Sequence, residues 1–140
     1  GLHKKKTGNP ELLYSLKFGS RELMCQHIIN REKSMKKLRI DDQRFYGKEI
    51  VVDDFGKLWI AGGCDVDALK FTDRLYEYNP AKMELSHRLP MSDAKISFSF
   101  LATPDSSLWA IGGYQFCDSR ATGFKTVERY DIYKNKWNQE

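Results

Sequence analysis

Six residues, Leu58-Trp59-Ile60-Ala61-Gly62-Gly63, return as Leu108-Trp109-Ala110-Ile111-Gly112-Gly113, an offset of 50 residues. A second pair of segments follows in the same order. Behind the first glycine pair comes Arg74-Leu75-Tyr76-Glu77-Tyr78-Asn79-Pro80-Ala81-Lys82-Met83-Glu84-Leu85, and behind the second comes Thr126-Val127-Glu128-Arg129-Tyr130-Asp131-Ile132-Tyr133-Lys134-Asn135-Lys136-Trp137, now offset by 52. The loop after the second glycine pair is therefore two residues longer. Internal repetition at this period restricts the fold to stacked copies of one supersecondary unit, because each unit leaves an apolar face that only a neighbour covers.

Local chemistry reads each unit as four strands. Phe45 to Val52 and Ile96 to Thr103 are rich in aromatic and β-branched residues, and Ile96-Ser97-Phe98-Ser99-Phe100 alternates at period 2, which predicts a first strand with unlike faces. Asp53-Asp54-Phe55-Gly56-Lys57 and Pro104-Asp105-Ser106-Ser107 carry turn chemistry. Leu58 to Ala61 and Leu108 to Ile111 are continuously apolar, as a short strand covered on both faces should be. Each ends in a glycine pair, where the backbone needs positive φ or a close neighbour. Tyr76, Tyr78, Val127 and Tyr130 mark a third strand, and turns at Asn79-Pro80 and Asp131 lead to a fourth near Met83 to Leu85 and Lys136 to Trp137. Four antiparallel strands per unit, stacked radially, predict an all-β chain.

These residues resemble the kelch repeat. That family's pattern is matched by Gly62-Gly63, Tyr78-Asn79-Pro80, Leu89-Pro90-Met91, Gly112-Gly113, Tyr130-Asp131 and Trp137. Leu85 stands where the first repeat would carry its Trp, and Lys95 where the family often has Arg. The resemblance covers residues 45 to 140 and implies a partial β-propeller of four-stranded kelch-type blades: one blade over 45–95, and one over 96–140 cut short in its last strand. Residues 1–44 form a basic N-terminal segment expected to be a degenerate partial blade. There, Glu22 to Asn30 and the residues around Met35 are the expected third and fourth strands, with Ile28 or Ile29 at the Tyr position. A ring of four or more such blades needs roughly 200 residues. The 140 residues are thus expected to be an incomplete ring, part of a longer protein, with missing blades in the same or another chain.

Composition narrows the function classes. With 41% apolar residues and no unbroken apolar run near the ~20 residues of a membrane span, no transmembrane segment is expected. No basic-then-apolar leader precedes His3-Lys4-Lys5-Lys6. Cys25, Cys64 and Cys117 lack C-x-x-C spacing and an even count, which predicts free thiols and a reducing, cytoplasmic setting. Residues 1–50 hold 12 Lys/Arg against 6 Asp/Glu, while residues 51–140 hold 11 against 13, so the basic character is N-terminal. Solvated lysines that guard strand edges explain it more simply than a nucleic-acid contact.

No constellation points to catalysis. His3, His27 and His87 lie far from one another and from metal-ligand spacing, the serines lack a nucleophile-elbow context, and Asp53-Asp54 and Asp65-x-Asp67 fall on turns. No catalytic residue, metal or cofactor is assigned. Trp59, Trp109 and Trp137 are read as packing between blades, with sugar stacking the competing reading.

The resemblance implies a protein-interaction scaffold, of the adaptor, cytoskeletal or assembly kind, binding a protein or peptide through loops at one mouth of the ring. On that basis Arg44, Asp65, Asp67, Lys70, Lys95, Tyr114 and Arg120 are the candidate contacts. Gly62, Gly63, Tyr78, Gly112, Gly113, Tyr130 and Trp137 are the structural signature. An oxidase-like propeller enzyme and a carbohydrate-binding propeller are the alternatives.

Overall fold

The computed structural model describes residues 2–5, 11–16, 22–29, 32–39, 45–65, 70–79, 81–82, 84–117 and 120–140; for 2–39, Phe45 and Cys117 only the backbone is described. All regular structure among these residues is β. In chain order the strands are β1 Leu2–Lys5, β2 Glu11–Leu16, β3 Glu22–Ile29, β4 Glu32–Arg39, β5 Phe45–Tyr46, β6 Glu49–Val52, β7 Leu58–Ala61, β8 Cys64–Asp65, β9 Lys70–Phe71, β10 Leu75–Asn79 and β11 Glu84–Arg88. Then come β12 Ser99–Thr103, β13 Ser107–Ile111, β14 Tyr114–Cys117, β15 Arg120–Gly123, β16 Val127–Asp131 and β17 Lys136–Gln139.

Three four-stranded antiparallel sheets result, ordered β1-β2-β3-β4, β6-β7-β10-β11 and β12-β13-β16-β17. The first strands adjoin, β1 against β6 and β6 against β12, so the sheets fan out from a shared inner edge. Among the described residues they do not close a ring. Residues 22–29 and 32–39 are the third and fourth strands of the first sheet, which also contains β1 and β2.

The expected first strands are each broken. Gly47 at φ 70° separates β5 from β6, and Ser97 at φ 55°, fifty residues on, separates Ile96 from β12. Each left-handed residue hands the chain from one pairing partner to another. Phe45 and Tyr46 pair with β8, and Ile96 bridges to Tyr114, whereas β6 and β12 pair with β7 and β13. The loops after the glycine pairs are likewise not open excursions but short ribbons, β8–β9 and β14–β15.

Side chains alternate across a strand, so each sheet has two faces. One face of the middle sheet presents Ile50, Leu58, Ile60, Tyr76 and Tyr78, joined by Val52 and Leu85; Leu85 thus fills an apolar position where a Trp was expected. The opposite face presents Val51, Trp59, Ala61 and Leu75, which pack with Phe98, Phe100, Leu108, Ala110 and Tyr130 of the third sheet and with Met91 of the connection. Trp59 meets Tyr130 edge-on at 5.8 Å between ring centroids. Burying each such side chain stabilises by about 1.5–3 kcal/mol, making this junction the main core.

The glycine pair is part of the same junction. A Cβ on Gly62 would stand 2.5 Å from the Phe98 ring and 2.6 Å from the Lys95 carbonyl oxygen, on a backbone already at φ 71°. The amide of Gly63 donates to that same carbonyl at 3.0 Å. Gly112, its counterpart in the third sheet, has the same φ of 70° but nothing nearer than 3.7 Å. The face beside it carries Leu101, Trp109, Ile111 and Val127, the register equivalents of Val51, Trp59, Ala61 and Leu75. Leu101 and Ile111 are 49% and 37% exposed.

Candidate functional site

At the end of the sheets opposite the Asp53–Lys57 turn lie the two ribbons and the connection from β11 to β12. Phe116 on β14 is 51% exposed. Its ring packs edge-on against Tyr114, two residues back on the same side of the strand, at 5.3 Å and 76°. It also reaches Phe71 on β9 of the preceding sheet, with centroids 5.9 Å apart. The aromatic cluster therefore spans two repeats.

In 64–74 and 114–126 the exposed charged side chains among the described residues are Lys70, Arg74, Arg120 and Lys125, while Asp65 is buried and Asp73 half-buried. β15, Arg120–Gly123, is exposed along its whole length and pairs with β14 on one side. Burial raises the pKa of the half-buried Cys64 thiol, as does the neighbouring Asp65, so this thiol is a poor nucleophile.

The candidate contacts separate under this geometry. Lys70, Tyr114 and Arg120 sit on the ribbons, and Arg44 and Asp67 lie outside the described residues. Asp65 is buried. Lys95 is corrected: at 0% exposure it is a core residue, not a contact for a partner arriving from solvent. The reason is the left turn at Ser97, which folds the preceding segment beneath the glycine pair. Lys95 Nζ is 4.0 Å from Glu128 Oε1, both side chains being fully buried, and makes no hydrogen bond. The rings of Phe98 and Phe124 flank it at 5.4 and 6.0 Å. Burial lowers its pKa, against the pull of Glu128 and Asp93. Glu128 is itself held by Ser92, whose amide and hydroxyl donate to it at 3.2 and 2.6 Å.

Sequence reasoning missed Arg88, the polar centre of the junction. Its Nε donates to Tyr130 Oη at 2.9 Å, Nη1 to Glu77 Oε2 at 2.9 Å, and Nη2 to the Ile132 carbonyl at 2.8 Å. The guanidinium lies 5.6 Å from the Trp59 ring and 5.9 Å from that of Tyr130. Tyr130 in turn donates to Asn135, which also accepts from the Leu89 amide, and Trp137 Nε1 donates to the Leu89 carbonyl at 2.8 Å. Glu77 is also paired with Lys57 at 2.8 Å. In the third sheet the register equivalents of Glu77 and Arg88 are Arg129 and Glu140, paired at 2.8 Å with their charges exchanged.

The acidic turn residue Asp53 is committed to structure. Its Oδ1 accepts the amides of Phe55 and Lys57, and its Oδ2 accepts Trp59 Nε1, all at 2.9 Å. Trp59, fully buried, presents no platform to a sugar; Trp109 is half-buried, with Arg129 5.8 Å from its ring and its Nε1 donating to Thr103.

Comparison with known proteins agrees with this architecture. The Kelch motif matches residues 99–140. An F-box/kelch-repeat protein of Arabidopsis thaliana is similar at 25% identity over 89 residues, 64% of this chain. The match spans 21% of that protein's length. Glycine pairs at equivalent positive φ, repeated sheets in one register and the motif match over residues 99–140 all support a kelch-repeat architecture.

Proposed function

We propose that this chain is part of a non-catalytic protein-interaction scaffold whose binding surface is the ribbon end of its blades. One observation carries the reading: Phe116 is half-exposed yet held in place by Tyr114 and Phe71, so an aromatic anchor is presented by two repeats at once. Aromatic and Arg side chains dominate binding energy at interfaces. Fixing them on hairpins reduces the entropy lost when a partner docks.

The outward face of the third sheet is the second part of the proposal. Leu101, Trp109, Ile111 and Val127 stand in the register that the middle sheet uses to receive its neighbour, and the space beside Gly112 has the position filled by Lys95–Phe98 at Gly62. A further blade, in the same or another polypeptide, fits there. A cytoplasmic setting is proposed with it, on the cysteine spacing and the free Cys64.

Affinity capture with the full-length protein tests the ribbon-end reading. Phe116→Ala with Arg120→Glu should lose partners that the wild type recovers. Lys82→Glu with Lys134→Glu, which changes exposed residues at the opposite end, should retain them. Equal recovery by all three proteins would count against it.

A further inference from the structure

The outward face of the third sheet keeps the apolar register of the middle sheet but inverts its polar edge. In the middle sheet the Arg88 guanidinium donates to two facing acceptors, the Glu77 carboxylate of its own sheet and the Ile132 carbonyl of the sheet docked on it. In the third sheet the register position of Arg88 belongs to Glu140, and that of Glu77 to Arg129. A carboxylate thus stands where a docking sheet brings a backbone carbonyl. From this inversion we infer that the blade docking on the third sheet supplies the cation itself, a Lys or Arg side chain set between Glu140 and its own carbonyl. This rests on the blade-docking reading above and adds the chemistry of the blade.

Three observations support an occupant of that kind. Leu101 and Ile111 are exposed, whereas Val51 and Ala61, at the same register positions beneath the third sheet, are buried. The ion pairs differ in the same sense: the side chains of Arg129 and Glu140 are each 36% exposed, against 25% for Arg88 and 10% for Glu77, which the third sheet covers. Arg129 is also committed elsewhere. Its Nε donates to Glu140 at 2.8 Å, and its guanidinium lies 5.8 Å from the Trp109 ring, much as Arg88 lies 5.6 Å from Trp59. Covering Glu140 with an acceptor alone would set a carboxylate against a carbonyl away from water, whereas a cation between them satisfies both. Apolar contact accepts any blade of suitable shape; the carboxylate selects among them.

Maleimide labelling of Leu101→Cys, read at position 101 by mass spectrometry, tests the inference. Labelled in cell lysate, the full-length protein should react at least about tenfold more slowly than the 140-residue chain, whose outward face is open. Adding Glu140→Lys should speed labelling of the full-length protein by about tenfold, because two cations then meet across the junction. The same change in the 140-residue chain should leave labelling as it was, since the exposed pair with Arg129 contributes little. Lys82→Glu, at the far turn, should alter neither. Photo-cross-linking from a benzophenone side chain at position 111 identifies the occupant, which should be a further β-repeat carrying Lys or Arg at the junction. Unaltered circular dichroism of the 140-residue variants checks that the fold is intact.

Unchanged or slower labelling of the full-length protein on Glu140→Lys overturns the cationic contact; so does a cross-linked repeat without Lys or Arg at the junction. If position 101 is protected in the full-length protein all the same, the docked blade stands and only its chemistry is refuted. Equal labelling of the two chain lengths, or a cross-link to a protein without such a repeat, refutes the docking of a blade itself.

Discussion

Replacing Arg88 with Ala should unfasten the second sheet from the third. The guanidinium makes three hydrogen bonds of 2.8–2.9 Å, one to the Glu77 carboxylate and two to the third sheet, and it is only 25% exposed. Truncating one partner of a buried charge pair costs about 3–5 kcal/mol. Here Lys57 still neutralises Glu77, and water reaches part of the site, which brings the expectation to about 2–3 kcal/mol. Repeat arrays need not unfold in one step, so native-state amide exchange is the suitable assay. Amides of β10 and β16 should exchange about 30- to 150-fold faster in Arg88→Ala, at 1.4 kcal/mol per decade. Tyr130→Phe removes the hydroxyl that Arg88 and Asn135 share, and the double variant should show a coupling of about 0.5–1.5 kcal/mol. Arg129→Ala, on the outward face, should change exchange by less than about 0.5 kcal/mol. If Arg88→Ala and Arg129→Ala behave alike, the guanidinium is not what joins the sheets.

In the 140-residue chain, Gly62→Ala should destabilise by at least about 3 kcal/mol, since overpacking adds to the positive-φ cost, whereas Gly112→Ala should cost about 1–2 kcal/mol, measured by thermal denaturation; equal costs would contradict the difference in their surroundings. Asp53→Ala should cost about 2–4 kcal/mol, because it orphans the buried Trp59 indole N–H and two turn amides, with the loss visible as altered Trp59 fluorescence and a lower denaturation midpoint. The lowered pKa of Lys95 means that the unfolded chain binds the proton more tightly than the folded one. Its penalty is therefore full below the folded pKa and fades as pH rises from there to the unfolded value near 10.4, so stability relative to Lys95→Met should rise across that alkaline window. A flat or falling difference in urea midpoints would refute that assignment.

The backbone plan was legible in the sequence because it depends on features with little freedom. Leu58 to Ala61 had to be covered on both faces, and glycine pairs in register needed a common cause; Trp59 and Gly62 show that cause as one packed junction. What escaped were effects that join distant positions. Lys95 reads as a solvent cation until the φ of Ser97 turns its segment under Gly63, and a serine gives little warning of a left-handed backbone. Arg88 carries no local mark, since two of its three acceptors lie 42 and 44 residues further on. Tyr114 was visible as a loop aromatic, but Phe116 and Phe71 gain meaning only when two ribbons meet. The i, i+2 spacing of Tyr114 and Phe116 was the available signal: on a strand it puts both rings on one side.

The exchanged pair, Glu77–Arg88 in one sheet and Arg129–Glu140 in the next, bears on how a chain of look-alike units avoids assembling in the wrong order. Near-identical backbones invite register errors during folding, in which one unit docks where another belongs. A duplicate of the third sheet docked on its own outward face would bring its Ile132 carbonyl to Glu140, which stands in the register position of Arg88, and so to a carboxylate instead of a guanidinium. An acceptor facing an acceptor with little water leaves a carbonyl without its donor at a cost of about 1–3 kcal/mol, a penalty on the mistake rather than a gain for the correct stack. Inverting one ion pair between repeats thereby gives each junction its own identity while leaving the strands that build it interchangeable in shape.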